Sequence, residues 1–105
     1  MVSDYYRSQR SEERRLQVKK VGNMKGFYYV YVLVSEVDPK SHYIGLTDDL
    51  DSRLTAHNNG QSPHTSKHRP WKIETAIAFR SRKKAVAFEK YLKGHSGRAF
   101  ASKHF

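Results

Sequence analysis

The sequence contains no cysteine, so neither a disulfide framework nor a thiolate metal site is available to it. No apolar run approaches the roughly 20 residues that cross a membrane, and the polar N-terminus lacks the hydrophobic segment of a signal peptide. We therefore expect a cytoplasmic protein that is not inserted in a membrane. With 105 residues, of which 37% are hydrophobic, the chain has room for one domain with a modest core.

Acidic residues are also scarce. The chain holds 20 Lys and Arg against 10 Asp and Glu, for a net charge of +10. Residues 61–105 contain eleven of the basic residues and two of the acidic ones, whereas residues 23–60 contain three basic and five acidic residues. A strongly basic half favours a polyphosphate partner, in particular nucleic acid. A lysine-rich surface that serves solubility would have the same composition, so charge alone does not define a function.

The chain divides near Met24. Residues 1–23 are basic and offer few apolar side chains for docking, so we expect a flexible N-terminal extension. Residues 24–105 are expected to form the domain. Because Met24 directly precedes the first predicted strand, we hypothesise that it is the real or an alternative translation start. The intact mass of the natively expressed protein would decide this.

The spacing of apolar residues predicts an α/β (α+β) fold with elements in the order ββαβαα. The continuous aromatic and β-branched run at 27–34 predicts a strand buried on both faces. A turn then leads into a short second strand at 42–45. A helix capped by Thr47 or Asp48 is expected to reach about Asn58.

The second half of the chain predicts one more strand and two helices. Residues 71–79 alternate as a strand, with one side formed by Ile73, Thr75, Ile77 and Phe79. Ser81 is expected to cap a helix over 82–93, and a short basic helix follows at 96–104. The predicted architecture is a three-stranded antiparallel sheet flanked by helices.

Two short tyrosine motifs lie on the predicted hairpin, Tyr29-Val30-Tyr31 on the first strand and Tyr43-Ile44-Gly45 on the second. The chain continues from Gly45 as Leu-Thr-Asp-Asp-Leu, then Arg53-Leu54 and His57-Asn58. These segments resemble the GIY-YIG nucleases, and residues 85–93 are similar to the glutamate-bearing helix of that family. The resemblance covers about residues 25–103. It indicates a small stand-alone bacterial member, related to the N-terminal nuclease domain found in bacterial excision repair.

The resemblance implies a metal-dependent phosphodiesterase that acts on DNA, with catalytic residues Tyr31, Tyr43, Arg53 and His57. Arg53 would present its guanidinium group to the phosphate. Tyr43 would act as general base or orient the attacking water, with Tyr31 beside it, and His57 would relay a proton or bind a flanking phosphate. Without the family pattern, a tyrosine in a buried strand is usually core packing, and an i, i+4 pair such as Arg53 and His57 is usually exposed.

Glu89 interrupts an apolar helix stripe. Ala85, Phe88 and Leu92 define the stripe, and Glu89 falls inside it. Burying an ionised carboxylate is costly unless it is paired or holds a cation, so the residues alone allow either a metal ligand or an ion pair with a nearby Lys or Arg. The resemblance implies the first, a glutamate that ligates a single Mg²⁺ or Mn²⁺ ion.

The sequence departs from the family pattern at three places. Tyr29-Val30 stands where the family name has Gly-Ile, and Leu46 stands where the repair-nuclease branch often has lysine. That branch also carries an asparagine after the glutamate helix, and residues 94–105 contain none.

Basic residues after Gly60 are expected to contact the phosphate backbone, which positions DNA without reading its sequence. We predict this role for Lys67, Arg69, Arg80, Arg82, Lys83, Lys84 and Arg98. The pair His64 and His68 has the i, i+4 spacing of a zinc site but lies in a loop without a third ligand, so zinc is not expected there.

Two functions of different classes are compatible with these residues. The leading hypothesis is a structure-directed or weakly sequence-selective DNA endonuclease, and the alternative is a catalytically silent nucleic-acid-binding module on the same fold. A more remote third is a structural protein that binds RNA through its basic half. Because no accessory DNA-binding domain is evident, selectivity would come from a homodimer or a partner protein.

Overall fold

Three strands form an antiparallel sheet, and three helices cover its two faces in the part of the chain that the computed structural model describes, residues 24–105. The expected N-terminal extension, residues 1–23, lies outside the described residues. The elements follow the predicted order ββαβαα. They are β1 (Tyr28–Ser35), β2 (His42–Thr47), α1 (Leu50–Asn58), a 3-10 turn (Ser66–His68), β3 (Trp71–Phe79), α2 (Arg82–Lys93) and α3 (His95–His104).

Strand β1 lies at the centre of the sheet, in the order β2-β1-β3. Its position follows from its sequence, because a strand with apolar side chains on both faces is stable only where both faces are covered. Five consecutive residues of β1, from Tyr29 to Leu33, are buried. The prediction of a strand buried on both sides is therefore confirmed.

Strand β3 contains an irregularity that the alternating pattern did not predict. Val32 pairs with Thr75 but the next residue, Leu33, pairs with Ile73, so Glu74 is an extra residue in β3. A bulge of this kind reverses which side chains face which side of the sheet. The prediction that Ile73 shares a side with Thr75, Ile77 and Phe79 is therefore wrong. Ile73 packs on the face that carries Tyr31 and Leu33, and Phe79 packs on the other.

The core has two layers. Between the sheet and α1, the buried side chains are Tyr29, Tyr31, Leu33, Leu50 and Trp71. On the opposite face, Val30 packs with Ala85 and Leu92 of α2, together with Phe100 of α3. Among the described residues, no helix is long and apolar enough to span a membrane.

The helix caps differ in how well the sequence predicted them. Helix α1 is capped by Asp49 rather than by Thr47 or Asp48, and the Asp49 carboxylate accepts from the Ser52 amide at 3.1 Å. Thr47 serves the preceding turn, since its hydroxyl accepts from the Asp49 amide at 3.0 Å. Ser81 caps α2 as predicted, accepting from the Lys84 amide at 3.1 Å.

Two hydrogen bonds from the Asn58 side chain fix the end of α1 against β3. The Asn58 amide donates to the Trp71 carbonyl oxygen at 3.0 Å, and its own oxygen accepts from the Trp71 amide at 2.6 Å. The Trp71 indole also donates to the Thr65 carbonyl oxygen at 2.7 Å. These bonds hold the inner face of α1, and with it His57, over the central strand.

Candidate active site

Tyr31 lies at the middle of the site, on the central strand. Its side chain is only 2% exposed, and its hydroxyl lies 2.9 Å from His57 Nε2. The Tyr31 ring crosses directly over its strand partner, Gly45. A Cβ atom at Gly45 would collide with the Tyr31 hydroxyl and lie 2.9 Å from the ring carbon Cε2. Gly45 of the second motif therefore leaves the space that the Tyr31 ring of the first motif occupies.

His57 connects Tyr31 to a buried hydroxyl. The His57 side chain is fully buried, and its Nδ1 lies 2.7 Å from Thr65 Oγ1, whose residue is also inaccessible to solvent. Thr65 Oγ1 in turn donates to the Ser62 carbonyl oxygen at 3.4 Å. If Tyr31 donates to His57 Nε2 and His57 Nδ1–H donates to Thr65, then the Tyr31 hydroxyl, the His57 ring N–H and the Thr65 hydroxyl each have an acceptor. We assign this tautomer.

Electrostatics support that assignment. Burial raises the pKa of the Tyr31 phenol; a hydrogen bond and the positive charge from Arg53 oppose the rise, and Tyr43 and Glu89 add to it. Burial lowers the pKa of His57, and the charge of Arg53 lowers it further. At neutral pH the pair is therefore a phenol and a neutral imidazole, in which Nε2 accepts the hydrogen bond from the phenol.

Tyr43 is the more accessible of the two tyrosines. It lies on edge strand β2 and is only partly buried, whereas Tyr31 is enclosed. The Tyr43 ring centroid lies 4.9 Å from that of His57 and 6.4 Å from that of Tyr31. The hydroxyl of Tyr31 is occupied by His57, so Tyr43 is the tyrosine that a ligand can reach.

Glu89 lies on α2, the helix that packs on the face of the sheet opposite to α1. Its charge acts on Tyr31 together with that of Arg53, and its side chain is 20% exposed. Lys93 Nζ lies 3.0 Å from Glu89 Oε2, one helical turn away. Of the two alternatives that the sequence allowed for Glu89, the ion pair with a nearby lysine is thus present. The structure brings Tyr31, Tyr43, Arg53, His57 and Glu89 together, here called the five-residue cluster.

The five-residue cluster contains one carboxylate. Within residues 24–105, no group of three or more His, Cys, Asp or Glu side chains could hold a metal ion. Of the two loop histidines, His68 lies 3.9 Å from an oxygen of Asp38 and packs edge-on against Trp71. A hard cation that takes one carboxylate and keeps water as its remaining ligands, as Mg²⁺ does, fits this donor set.

The seven predicted phosphate contacts are distributed over several elements. Lys67 is exposed on the 3-10 turn, while Arg69 folds back so that its Nε donates to the Ser66 carbonyl oxygen at 2.8 Å. Arg80 lies 4.8 Å above the Phe27 ring. The exposed first turn of α2 carries Arg82, Lys83 and Lys84. Of the seven, Arg98 alone shares a groove with Tyr43.

The sequence did not predict the part played by Thr65. This residue lies in a loop whose composition is polar and basic, and nothing in its local sequence distinguishes it from exposed neighbours. Its burial depends on the packing of the loop against Trp71 and His57. No short-range pattern carries that information.

The fold and site together define a class, a small α+β domain with a tyrosine, histidine, arginine and glutamate cluster beside the central strand and one edge strand of a three-stranded sheet. The model of the GIY-YIG catalytic domain family matches residues 27–103, and the chain belongs to this family. The fold class and the resemblance predicted from the motifs are confirmed.

Individual relatives fall in two groups. The chain is 44% identical over 70 residues to the structure-specific endonuclease subunit SLX1 of Meyerozyma guilliermondii, a match covering 60% of this chain and 23% of the relative. It is 39% identical over 66 residues to a UPF0213 protein of Streptococcus pneumoniae, covering 62% of this chain and 65% of that protein. The chain thus spans less than two thirds of the length of both relatives.

One solved structure is also similar to this chain. The solution NMR structure of a UPF0213 protein from Bacillus halodurans is 30% identical, covers 72% of this chain and 80% of its own, and superposes with a TM-score of 0.45.

Proposed function

We propose that the domain is a divalent-metal-dependent endonuclease that hydrolyses DNA phosphodiester bonds in a structure-directed or weakly sequence-selective manner. The observation that carries this proposal is the convergence of the five-residue cluster. Its members come from β1, β2, α1 and α2, yet Tyr31 contacts His57 directly and responds to the charges of Arg53 and Glu89. Family membership supports it, as does the name of the Meyerozyma relative, a structure-specific endonuclease subunit.

Hydrolysis requires a water oxygen to attack phosphorus while the bond from phosphorus to the leaving oxygen breaks. In the proposed mechanism, the Arg53 guanidinium binds a phosphate oxygen and offsets the charge that accumulates there. Tyr43, the accessible phenol, orients the attacking water, which gives up its proton to solvent as its oxygen bonds to phosphorus, and the leaving oxygen takes up a proton from solvent. Tyr31 is held protonated by its burial and its bond to His57, so it positions Arg53 and Tyr43 rather than removing a proton itself.

Glu89 is the residue that would hold the ion. Its partly exposed side chain supplies the only carboxylate of the five-residue cluster. When bound, a single Mg²⁺ or Mn²⁺ ion supplies Lewis-acid charge to the phosphate. Lys93 shares this carboxylate in the structure, so its ammonium group would move aside as the ion enters.

Part of the selectivity would come from outside the domain. No separate major-groove reader is evident in its sequence, and the Meyerozyma relative is named as a subunit. We propose that a homodimer or a partner protein directs cleavage to particular DNA structures.

One observation favours the second candidate function, a binding module without catalysis. The Glu89 carboxylate already has a cation, Lys93, at 3.0 Å. If that pair were permanent, the carboxylate would be a structural group and the basic surface alone would act, by binding nucleic acid.

Supercoiled plasmid and branched DNA test the proposed function. The wild-type protein should nick both in the presence of Mg²⁺ or Mn²⁺ and neither in the presence of EDTA. Tyr31→Phe removes the hydroxyl that joins Arg53 to His57, so we expect the cleavage rate to fall by about 10- to 100-fold. Tyr91→Phe is the matched control, because Tyr91 is exposed on α2, and it should cleave as the wild type does.

Two results would contradict the proposal. Equal cleavage by Tyr31→Phe and the wild type would show that the five-residue cluster is not the site. Binding without any metal-dependent cleavage by the wild type would favour the silent module.

Thr65 is proposed as a positioning residue for His57. Thr65→Val removes the acceptor for His57 Nδ1–H in a site closed to solvent, and an unpaired buried donor costs about 1–3 kcal/mol of stability. We expect that loss, a cleavage rate about tenfold lower, and a change of the His57 tautomer seen in the ¹⁵N shifts of its ring nitrogens. Thr65→Ser should restore all three. A wild-type tautomer in Thr65→Val would show that Thr65 only fills space.

A further inference from the structure

A groove of about 890 Å³ opens beside the five-residue cluster. Its apolar lining comes from Val32 and Ile44 of the sheet, from Ala101 of α3 and from Phe105 directly after that helix. The groove, here called the basic groove, also has charged and polar lining residues. They are Lys40, His42, Glu74, Lys93, Arg98 and Ser102.

The charges of the basic groove favour an anion. Lys40, Lys93 and Arg98 line it together with one acidic side chain, Glu74. Because Lys93 is paired with Glu89, the positive charge offered to a ligand comes from Lys40 and Arg98. The Glu74 carboxylate lies 3.4 Å from His42 Nε2, across the central strand. The groove therefore combines an apolar lining with an excess of positive charge around it.

The basic groove is continuous with the five-residue cluster. Tyr43 lines the groove and also packs against His57. Lys93 lines it as well and pairs with Glu89. A nucleic-acid strand bound with its phosphate at Arg53 would therefore continue past Tyr43 into the groove.

We propose that the basic groove binds an unpaired nucleotide next to the scissile phosphate. Its apolar lining suits the face of a base, and Lys40 and Arg98 suit the flanking phosphates, as in single-strand sites that combine an apolar platform with a cationic track. A base within a duplex is stacked and cannot enter such a groove. The inference rests on the proposed function and deepens it, because it specifies DNA with a single-stranded segment beside the cut.

Fluorescence anisotropy with a labelled oligothymidylate strand, and with a duplex of equal length, tests the groove. Arg98→Glu removes one phosphate contact and adds a repulsive charge, so we expect single-strand binding to weaken about tenfold, and duplex binding by less. Lys103→Glu is the matched control: the same charge reversal on the same helix, at an exposed residue outside the groove. It should weaken the binding of single strand and duplex equally, by less than about threefold.

A gain of binding provides a second measurement that misfolding cannot imitate. Glu74→Gln removes the single acidic charge of the groove, so single-strand binding should strengthen about two- to fivefold at low salt. Glu36→Gln removes an exposed acid that does not line the groove, and it should leave the preference for single strands unchanged. Equal effects of Glu74→Gln on single strand and duplex would overturn the proposal.

The same proteins separate the two proposals. If the wild type cleaves forked DNA while Arg98→Glu and Glu74→Gln bind single strands as the wild type does, the groove inference fails and the nuclease stands. If no substrate is cleaved but both variants shift single-strand binding as expected, the proposed catalysis fails and the groove stands.

Discussion

Glu89→Gln is expected to lower metal-dependent DNA cleavage about a thousandfold, which corresponds to about 4 kcal/mol of transition-state stabilisation. The substitution keeps the shape of the side chain but removes the charge that would hold the divalent ion. DNA binding should stay within about twofold of the wild type, because the phosphate contacts come from Lys and Arg side chains. Cleavage rates at increasing Mg²⁺ concentration and anisotropy with Ca²⁺ in place of Mg²⁺ measure the two effects separately.

Lys93→Met is the control that separates a metal ligand from a structural ion pair. It removes the ammonium group that lies 3.0 Å from Glu89 Oε2 and leaves the carboxylate in place. If Glu89 holds the ion, Lys93→Met should retain cleavage and reach half its maximal rate at a lower Mg²⁺ concentration. If the carboxylate serves only the ion pair, both variants should lose the same stability and the same activity.

Gly45→Ala should lower both the free energy of unfolding and the cleavage rate, because it disturbs packing rather than charge. The added Cβ would collide with the Tyr31 hydroxyl and lie 2.9 Å from Cε2 of a ring that is only 2% exposed. The ring cannot move away without breaking its hydrogen bond to His57. We expect a loss of about 1–3 kcal/mol in the free energy of unfolding and a cleavage rate at least about a hundredfold lower.

Gly94→Ala is the matched control for this prediction. A Cβ there would lie 3.4 Å from the Tyr91 carbonyl oxygen, an ordinary contact, with φ at −85°. Chemical denaturation should show little change. Adding Tyr31→Ala to Gly45→Ala removes the colliding ring, so the two stability losses should be less than additive. Strict additivity, or wild-type cleavage by Gly45→Ala alone, would contradict the role assigned to Gly45.

Local sequence was sufficient for the order of elements and for the position of β1. A run that is apolar on both faces can be stable only between two covering layers, and β1 is the central strand. Ser81 capped α2 as predicted, because a cap depends only on the next three residues. The motif spacing also singled out Tyr31, Tyr43 and Arg53 without reference to the tertiary structure.

The same local reasoning was insufficient wherever the answer depended on a distant partner. Glu74 forms a bulge in the pairing of β3 with β1, and this pairing cannot be read from the β3 sequence alone. The bulge places Ile73 on the face opposite to the one that the alternating pattern predicted. Glu89 could have been a free ligand or half of an ion pair, and the contact with Lys93 was visible only in the folded helix.

By itself, the sequence determined the family and the element order, and it supplied the side chains that we propose as catalytic, because these depend on short-range patterns and motif spacing. Only the tertiary structure decided how those side chains are joined. It buried His57 between Tyr31 and Thr65, set Gly45 beneath the Tyr31 ring and opened the basic groove beside Tyr43. The reason is physical: burial, and the hydrogen bonds it requires, arise from contacts between residues far apart in the chain.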